Sequence, residues 1–283
     1  MPTAVSLGAA SLAAYSFVEP RLFRLRRYTV PVGAGAPRLR ILHLGDTHMT
    51  SRSHPIAGFV RSLPHRVGFQ PDLVIATGDF LDDDGGIDPV LDAYSCLSAR
   101  LGKFYVLGSH DYFKSQFKSP TRYLTGRRAE PSTVPVDTAR LEAGLQEQGW
   151  KPLTNLTEHV DGGAVRIAGV DDPYIHRQRT GHIERGERET LAIGVTHAPD
   201  VVSDWLLNGY DLVLAGHTHG GQLRAPIVGA LVTNSSIPTQ LAAGLHPVGG
   251  GWLHVTPGLG HSRYSPVRFL CRPEATLLEL TPT

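Results

Sequence analysis

Leu39-Arg40-Ile41-Leu42-His43-Leu44-Gly45-Asp46-Thr47-His48 is an apolar run that stops at a glycine and is followed by two side chains able to ligate a metal. The pattern returns four times. Leu73 to Thr77 precedes Gly78-Asp79, and Phe104 to Leu107 precedes Gly108-Ser109-His110-Asp111. Leu191 to Val195 precedes Thr196-His197, and Leu212 to Ala215 precedes Gly216-His217-Thr218-His219. Short β-branched runs bounded by glycine predict strands that run into loops.

Helical spacing lies between the first of these strands: Val90, Tyr94, Leu97 and Leu101 fall on one face at i, i+4, i+7 and i+11. Alternating strands and helices build largely parallel sheets, whose ligands sit outside the carboxyl ends of the strands. All five polar clusters fall at such ends, so the sequence predicts one shared site. From Gly221 to Thr283 short apolar runs alternate with glycine and proline turns, which predicts a second, more antiparallel sheet with its clearest strands at Trp252 to Thr256 and Ala275 to Leu280. Tyr112 to Thr138 carries Lys114, Lys118, Arg122, Arg127 and Arg128 with little periodicity, and reads as a long loop or lid next to the site.

The chain has 283 residues, enough to bury a core without disulfides or a structural metal. Its 41% hydrophobic and 19% charged residues exclude a disordered or collagen-like polymer. A formal net charge of +1 gives no electrostatic pull toward nucleic acid, and none is predicted as a specific partner. Cys96 and Cys271 form neither a CxxC pair nor a disulfide framework, and are expected as reduced, buried thiols of a cytoplasmic protein.

Residues 1–30 form a distinct N-terminal segment and 31–283 the catalytic domain in this reading. Met1 to Val18 carries no charge and is followed by Arg21, Arg24, Arg26 and Arg27. The run falls short of the roughly 20 apolar residues that a spanning helix needs, and no Lys or Arg precedes it as in a signal peptide. Two readings are open: a helix docked on the domain, or a peripheral contact at the inner face of a membrane.

The site chemistry follows from the ligand types. Asp46 and His48 stand at i and i+2, which in an extended or just-ending strand points both side chains to one side. His217 and His219 repeat that spacing, His197 adds an imidazole, and the two oxygens of Asp79 allow it to bridge two cations. Mixed carboxylate and imidazole ligands suit two divalent ions such as Mn, Fe or Zn, with Mn favoured, better than Ca or Mg. Two such ions activate water and clamp the oxygens of an in-line displacement, which is the chemistry of phosphoester hydrolysis. Asp171 and Asp172, before Pro173, read first as turn residues and second as site residues.

Together the five blocks, Gly45-Asp46-Thr47-His48, Gly78-Asp79, Gly108-Ser109-His110-Asp111, Thr196-His197 and Gly216-His217-Thr218-His219, resemble the signature of the calcineurin-like metallophosphoesterase family. Gly220-Gly221-Gln222, Arg268-Phe269 and Arg272-Pro273-Glu274 are similar to a bacterial branch whose members often act near membranes. The resemblance implies an α/β four-layer αββα sandwich, two mixed β-sheets packed face to face with flanking helices. It implies that Asp46, His48 and His219 hold the first metal, that Asp79 bridges, and that His197 and His217 hold the second. It further implies hydrolysis of a phosphomonoester or phosphodiester by a metal-bridging hydroxide, with His110 protonating the leaving oxygen and Asp111 orienting that ring.

The third block departs from the family at Ser109, where an Asn amide ordinarily ligates the second metal. Three readings are open: Ser109 ligates weakly or through water, His110 replaces it as ligand, or the second site is empty and the protein is a mononuclear hydrolase. A non-catalytic interaction scaffold on the same fold is the rival from another class.

Overall fold

A computed structural model of the chain describes residues 11–117 and 132–283. The middle of the expected basic loop, including Lys118, Arg122, Arg127 and Arg128, lies outside the described residues. So do the first ten residues of the N-terminal segment.

The first half of the chain supplies β1 (Arg24–Val32), β2 (Leu39–Leu44), α1 (His54–Val67), β3 (Leu73–Ala76), α2 (Ile87–Tyr94), β4 (Gly102–Tyr105), α3 (Thr138–Glu147) and β5 (Trp150–Pro152). The second half begins with β6 (Leu156–Val160), β7 (Val165–Gly169), β8 (Leu191–Val195), α4 (Val202–Leu207) and β9 (Leu212–Ala215). A small hairpin, β10 (Arg224–Ala225) and β11 (Gly229–Ala230), precedes β12 (Gly244–Val248), β13 (Gly251–Val255) and β14 (Glu274–Pro282).

Among the described residues the strands form two mixed six-stranded sheets, ordered β1-β14-β2-β3-β4-β5 and β12-β13-β9-β8-β7-β6, beside the hairpin. In the first, β2 to β5 run parallel, while β14 is antiparallel to β2 and parallel to β1. In the second, β13, β9, β8 and β7 run parallel and the outer strands β12 and β6 are antiparallel.

Alternation along each strand builds the layers. Ile41, Leu73, Ile75, Ile193, Leu212 and Leu214 point into the core between the sheets. Their neighbours Leu42, Val74 and Ala76 turn outward to Phe59 and Leu63 of α1 and to Tyr94 and Trp150. Ala192 and Val213 turn outward from the second sheet to Trp205 of α4. Each sheet is thus buried on both faces, which is why its central strands read as continuous apolar runs. The order is helix, sheet, sheet, helix, as expected for the αββα sandwich.

Three expectations are corrected. The C-terminal region does not make one sheet of its own: β13 completes the second sheet, whereas β14 inserts between β1 and β2 of the first. Alternation identified both strands but carries no information on which sheet takes them. The apolar spacing from Val90 to Leu101 overruns its helix, because α2 ends at Tyr94 and Leu97 is buried from a turn. Cys96 is exposed, and only Cys271 is buried.

Residues 11–18 are helical and largely exposed, with Leu12, Phe17 and Val18 facing outward. No helix of the described residues is long and apolar enough to cross a membrane. The segment meets the C-terminal tail: Arg268 N–H donates to the Ser16 carbonyl at 2.9 Å, and the buried Glu19 carboxylate accepts from the amides of Leu270 and Cys271 at 2.8 and 2.5 Å. β1 continues through position 30 as one strand paired along its length with β14.

Leu278 of β14 is fully buried between the sheets. Leu278→Ala is expected to cost about 2–5 kcal/mol of stability, read as a shift in the urea midpoint with an unchanged slope.

Candidate metal centre

Every cluster expected at a strand end lies at the carboxyl end of a parallel strand, and the backbone there leaves the strand abruptly. Asp46, His48, Asp79, His217 and His219 all have positive φ, between 42° and 68°. The shared orientation of Asp46 and His48 therefore comes from a left-handed turn and not from the extended strand inferred from their spacing. Backbone bonds stitch the turns together: Asp46 N–H donates to Gly78 O, His48 N–H to Asp79 O and Gly216 N–H to His197 O, at 2.9, 3.0 and 2.9 Å.

The side chains converge on one small pocket of about 90 Å³, lined among others by His48, Asp79, Ser109, His110, His217 and His219. Asp79 Oδ2 lies 3.4 Å from His48 Nε2 and 3.3 Å from His197 Nε2. His48 Nε2 and His219 Nε2 are 3.1 Å apart, and His197 Nε2 is 3.3 Å from His217 Nδ1.

The outer ring atoms fix the tautomers. His197 Nδ1 donates to the Thr77 carbonyl at 2.7 Å, and His217 Nε2 faces the Asn234 carbonyl at 3.4 Å. Since a carbonyl only accepts, each neutral ring keeps its hydrogen on the outside and turns a bare nitrogen inward. With both rings neutral, as metal binding requires, the two inward nitrogens, 3.3 Å apart, have no hydrogen to share and fit a common cation. Asp46 Oδ2 is buried without a hydrogen-bond partner among the described residues, while Oδ1 accepts from His217 N–H at 2.9 Å. Buried polar atoms are seldom left unpaired, so this donor set fits divalent metal ions. Among the described residues three groupings place possible ligand atoms within 4.8 Å of one another: Asp46, His48 and His219; His48, Asp79 and His110; Asp46, Asp79 and His197.

Ser109 is buried in the same pocket, in a short 3₁₀ turn with His110 and Asp111. His110 N–H donates to Asp79 Oδ1 at 2.8 Å, and its ring stands edge-on to His48 with centroids 4.9 Å apart. Asp111 is fully buried beside it. Its carboxylate accepts from the amides of Phe80, Leu81 and Gly108, clamping the third block to the second. The group on His110 Nδ1 is Ser115 Oγ at 3.0 Å, whose hydroxyl donates to Asp82.

Asp82, absent from the sequence reading, is fully buried and also meets Arg263 Nε at 2.5 Å. Its Oδ1 lies 3.8 Å from His48 Nδ1, too far for a hydrogen bond but near enough to attract the ring's outer hydrogen. The only trace in the sequence is the acidic triplet Asp82-Asp83-Asp84 after the second block. Arg268, noted only as part of the tail, is buried behind His219 at 3.4 Å and donates to the carbonyls of Pro257 and Gly260. Gln222 Nε2 donates to Ser265 O and Val267 O, at 2.6 and 2.7 Å, tying the last block to that tail. Asp172 is both turn and site residue. Oδ1 caps Tyr174 N–H at 2.9 Å, and Oδ2 is buried without a hydrogen-bond partner among the described residues.

Burial is the largest single influence on these groups, but neighbouring charges outweigh it at His48, His197 and Asp79. It raises Asp46 to about 6 against the pull of His197, and Asp172 to about 7 against the same ring. It pushes His217 down to about 3, with His197 adding to the effect. Burial also opposes charge on His48 and His197, yet Asp82 and Asp79 hold the first above the ordinary range and Asp79 and Asp172 the second.

A cluster of buried carboxylates and imidazoles at the ends of parallel strands in a four-layer sandwich defines the chain as a metal-dependent hydrolase scaffold. The pattern of the calcineurin-like phosphoesterase family matches residues 39–221, and the chain belongs to that family. It is 30% identical to the metallophosphoesterase YkoQ of Bacillus subtilis (strain 168), over 95% of this chain and 98% of the relative. It is 28% identical to phosphodiesterase YaeI of Escherichia coli (strain K12), over 98% and 96%. Among solved structures, phosphopantetheinyl hydrolase (PptH) from Mycobacterium tuberculosis aligns with a TM-score of 0.46 at 13% identity, over 84% of this chain and 97% of that one.

Two outcomes follow. A Cβ on Gly108 would stand 2.7 Å from the His197 ring and closer still to Asp79 Oδ1. Gly108→Ala is therefore expected to lower metal content and to cost about 1–3 kcal/mol, read by elemental analysis and urea unfolding. In metal-free protein, Asp46 and Asp172 have folded pKa values above the unfolded 3.8. Their stabilising contribution is complete below about pH 4 and is lost as pH rises through 6 and 7. His48 and His197, raised, act in the same sense. His217, lowered, opposes this only below its ordinary 6.5. Melting temperature of chelated protein should fall from pH 6.5 to 8, and added Mn²⁺ should remove the trend; a rise over that window would contradict this assignment.

Proposed function

We propose that the protein is a binuclear metal-dependent phosphodiesterase, with Mn²⁺ the favoured ion. The observation that carries this reading is the convergence of bare imidazole nitrogens and carboxylate oxygens on Asp79, whose Oδ2 is near equally distant from His48 and His197. Asp79 is the bridging ligand in this reading. Asp46, His48 and His219 complete one site and His197 and His217 the other, with Ser109 contributing to the second directly or through water. Divalent ions held there supply Lewis acidity toward phosphoryl oxygens and make water a stronger acid.

The protein's own groups do the rest. His110 borders the pocket beside Asp79 and is held by Ser115. With Nδ1–H donating to Ser115, the opposite nitrogen is the one that delivers a proton to the departing oxygen. Asp82 and the Asn234 carbonyl orient the rings of His48 and His217, as outer partners do for ligating imidazoles. The preference for diesters is supported by the name of the relative YaeI, and the retention of every signature Asp and His speaks against a non-catalytic scaffold.

The test is hydrolysis of bis-aryl and mono-aryl phosphates by Mn-loaded protein. His110→Ala should lower diester turnover about 10²–10⁴-fold, most for poor leaving groups, at unchanged metal content. An equal loss for all leaving groups together with lost metal would make His110 a ligand. No turnover on either ester by metal-loaded wild-type protein would overturn the proposal.

A further inference from the structure

On the far side of the tail that backs His219 lies a separate recess of about 420 Å³. Arg24, Arg26, Arg224, Arg272, His246 and Tyr28 line it, and none of the metal-centre residues does. Cys271 forms the common wall: it lines the recess, and its thiol donates to the His219 carbonyl at 3.1 Å.

The basic groups come from four separated segments. Arg24, Arg26 and Tyr28 alternate along β1 and so share one of its faces. Arg272 precedes β14, Arg224 begins the β10 hairpin, and His246 lies on β12. Four arginines line the recess together with one carboxylate, Glu274, which is buried and is reached by two of them. Glu274 Oε2 holds Arg24 at 2.7 Å and draws Arg26 to 4.0 Å. The Arg26 guanidinium is further fixed over the Tyr28 ring, 4.7 Å from its centroid. Arg272 Nε donates to the Leu22 carbonyl at 2.8 Å, which leaves its outer nitrogens turned from that bond. The Arg224 side chain makes no hydrogen bond or ion pair among the described residues.

Gathering like charges in one concavity is unfavourable unless an anion joins them, and guanidinium forks match phosphate oxygens two at a time. An ordinary solvated basic surface would neither converge from four segments nor spend its one buried acid on positioning two of the arginines. We propose that this recess is a second ligand site, taking a phosphate group that carries at least one negative charge, either free in solution or as the headgroup of an anionic lipid. It is independent of the catalytic reading, since no metal ligand takes part.

The test uses the full chain freed of metal by chelation, so that the metal centre cannot hold the anion. Inorganic phosphate is titrated calorimetrically, and flotation is measured with phosphatidylglycerol and phosphatidylcholine vesicles. Wild-type protein should bind phosphate saturably or float with phosphatidylglycerol alone; the first result identifies the free anion, the second the headgroup. The Arg26→Gln/Arg224→Gln variant should lose about tenfold or more in affinity at an unchanged melting temperature. Should that variant melt early, Arg224→Gln alone replaces it, because this side chain makes no hydrogen bond or ion pair to another described residue, and a weaker but clear loss is expected. Binding of neither probe by wild-type protein, or undiminished binding by the folded variant, overturns the proposal.

Discussion

Five non-glycine residues of the proposed metal centre hold their backbone in the left-handed region, and the rest of the molecule is organised around that constraint. Each such residue costs about 1 kcal/mol relative to ordinary backbone, so five adjacent instances need strong external support. The support is visible on every side. Parallel strands from two sheets anchor the turns, cross-loop amide bonds fix their spacing, and Asp111 clamps the second block to the third through three amides. Glycines make the approach possible: a Cβ at Gly216 would run into Asp46 Oδ2.

The same geometry explains the residues behind the proposed ligands. Turning five side chains inward crowds buried carboxylates and imidazoles: burial shifts Asp46, His217 and His219 toward the neutral form, while their neighbours hold Asp79 and His48 toward the charged one. Outer partners then decide which nitrogen of each ring is bare. Thr77 O does so for His197, Asn234 O for His217 and Asp82 for His48, while Arg268 and Gln222 hold the C-terminal tail against the last block. The N-terminal helix joins this arrangement through Glu19, whose carboxylate takes the amides of Leu270 and Cys271 in that tail.

Much of this was legible in the sequence because apolar runs ending in glycine and a ligand residue locate strand ends without reference to the rest of the chain. The convergence of Asp46, His48, Asp79, His197, His217 and His219 on one site followed from that pattern, and the sandwich from the family resemblance of the five blocks. What was not legible depends on contacts across long separations. Alternation in Ala275 to Leu280 marked a strand but not its place between β1 and β2, which the distant pairing with Arg24–Val32 decides. Ser115 meets His110, and Asp82 meets Ser115, only once the loops have closed, so neither is legible from positions near the third block. The spacing of Asp46 and His48 pointed to a shared face for the wrong reason, since i and i+2 in a left-handed turn and in a strand look alike in sequence.

The central claim is that this strained, buried cluster exists to hold divalent ions. Metal content of the purified chain, measured by elemental analysis alongside the melting temperature before and after chelation, tests it most directly. The account predicts close to two ions per chain and a clear fall in melting temperature when they are removed, since ions bound only to the folded state stabilise it. A chain that binds no divalent ion, and melts at the same temperature with chelator as with Mn²⁺, would contradict it.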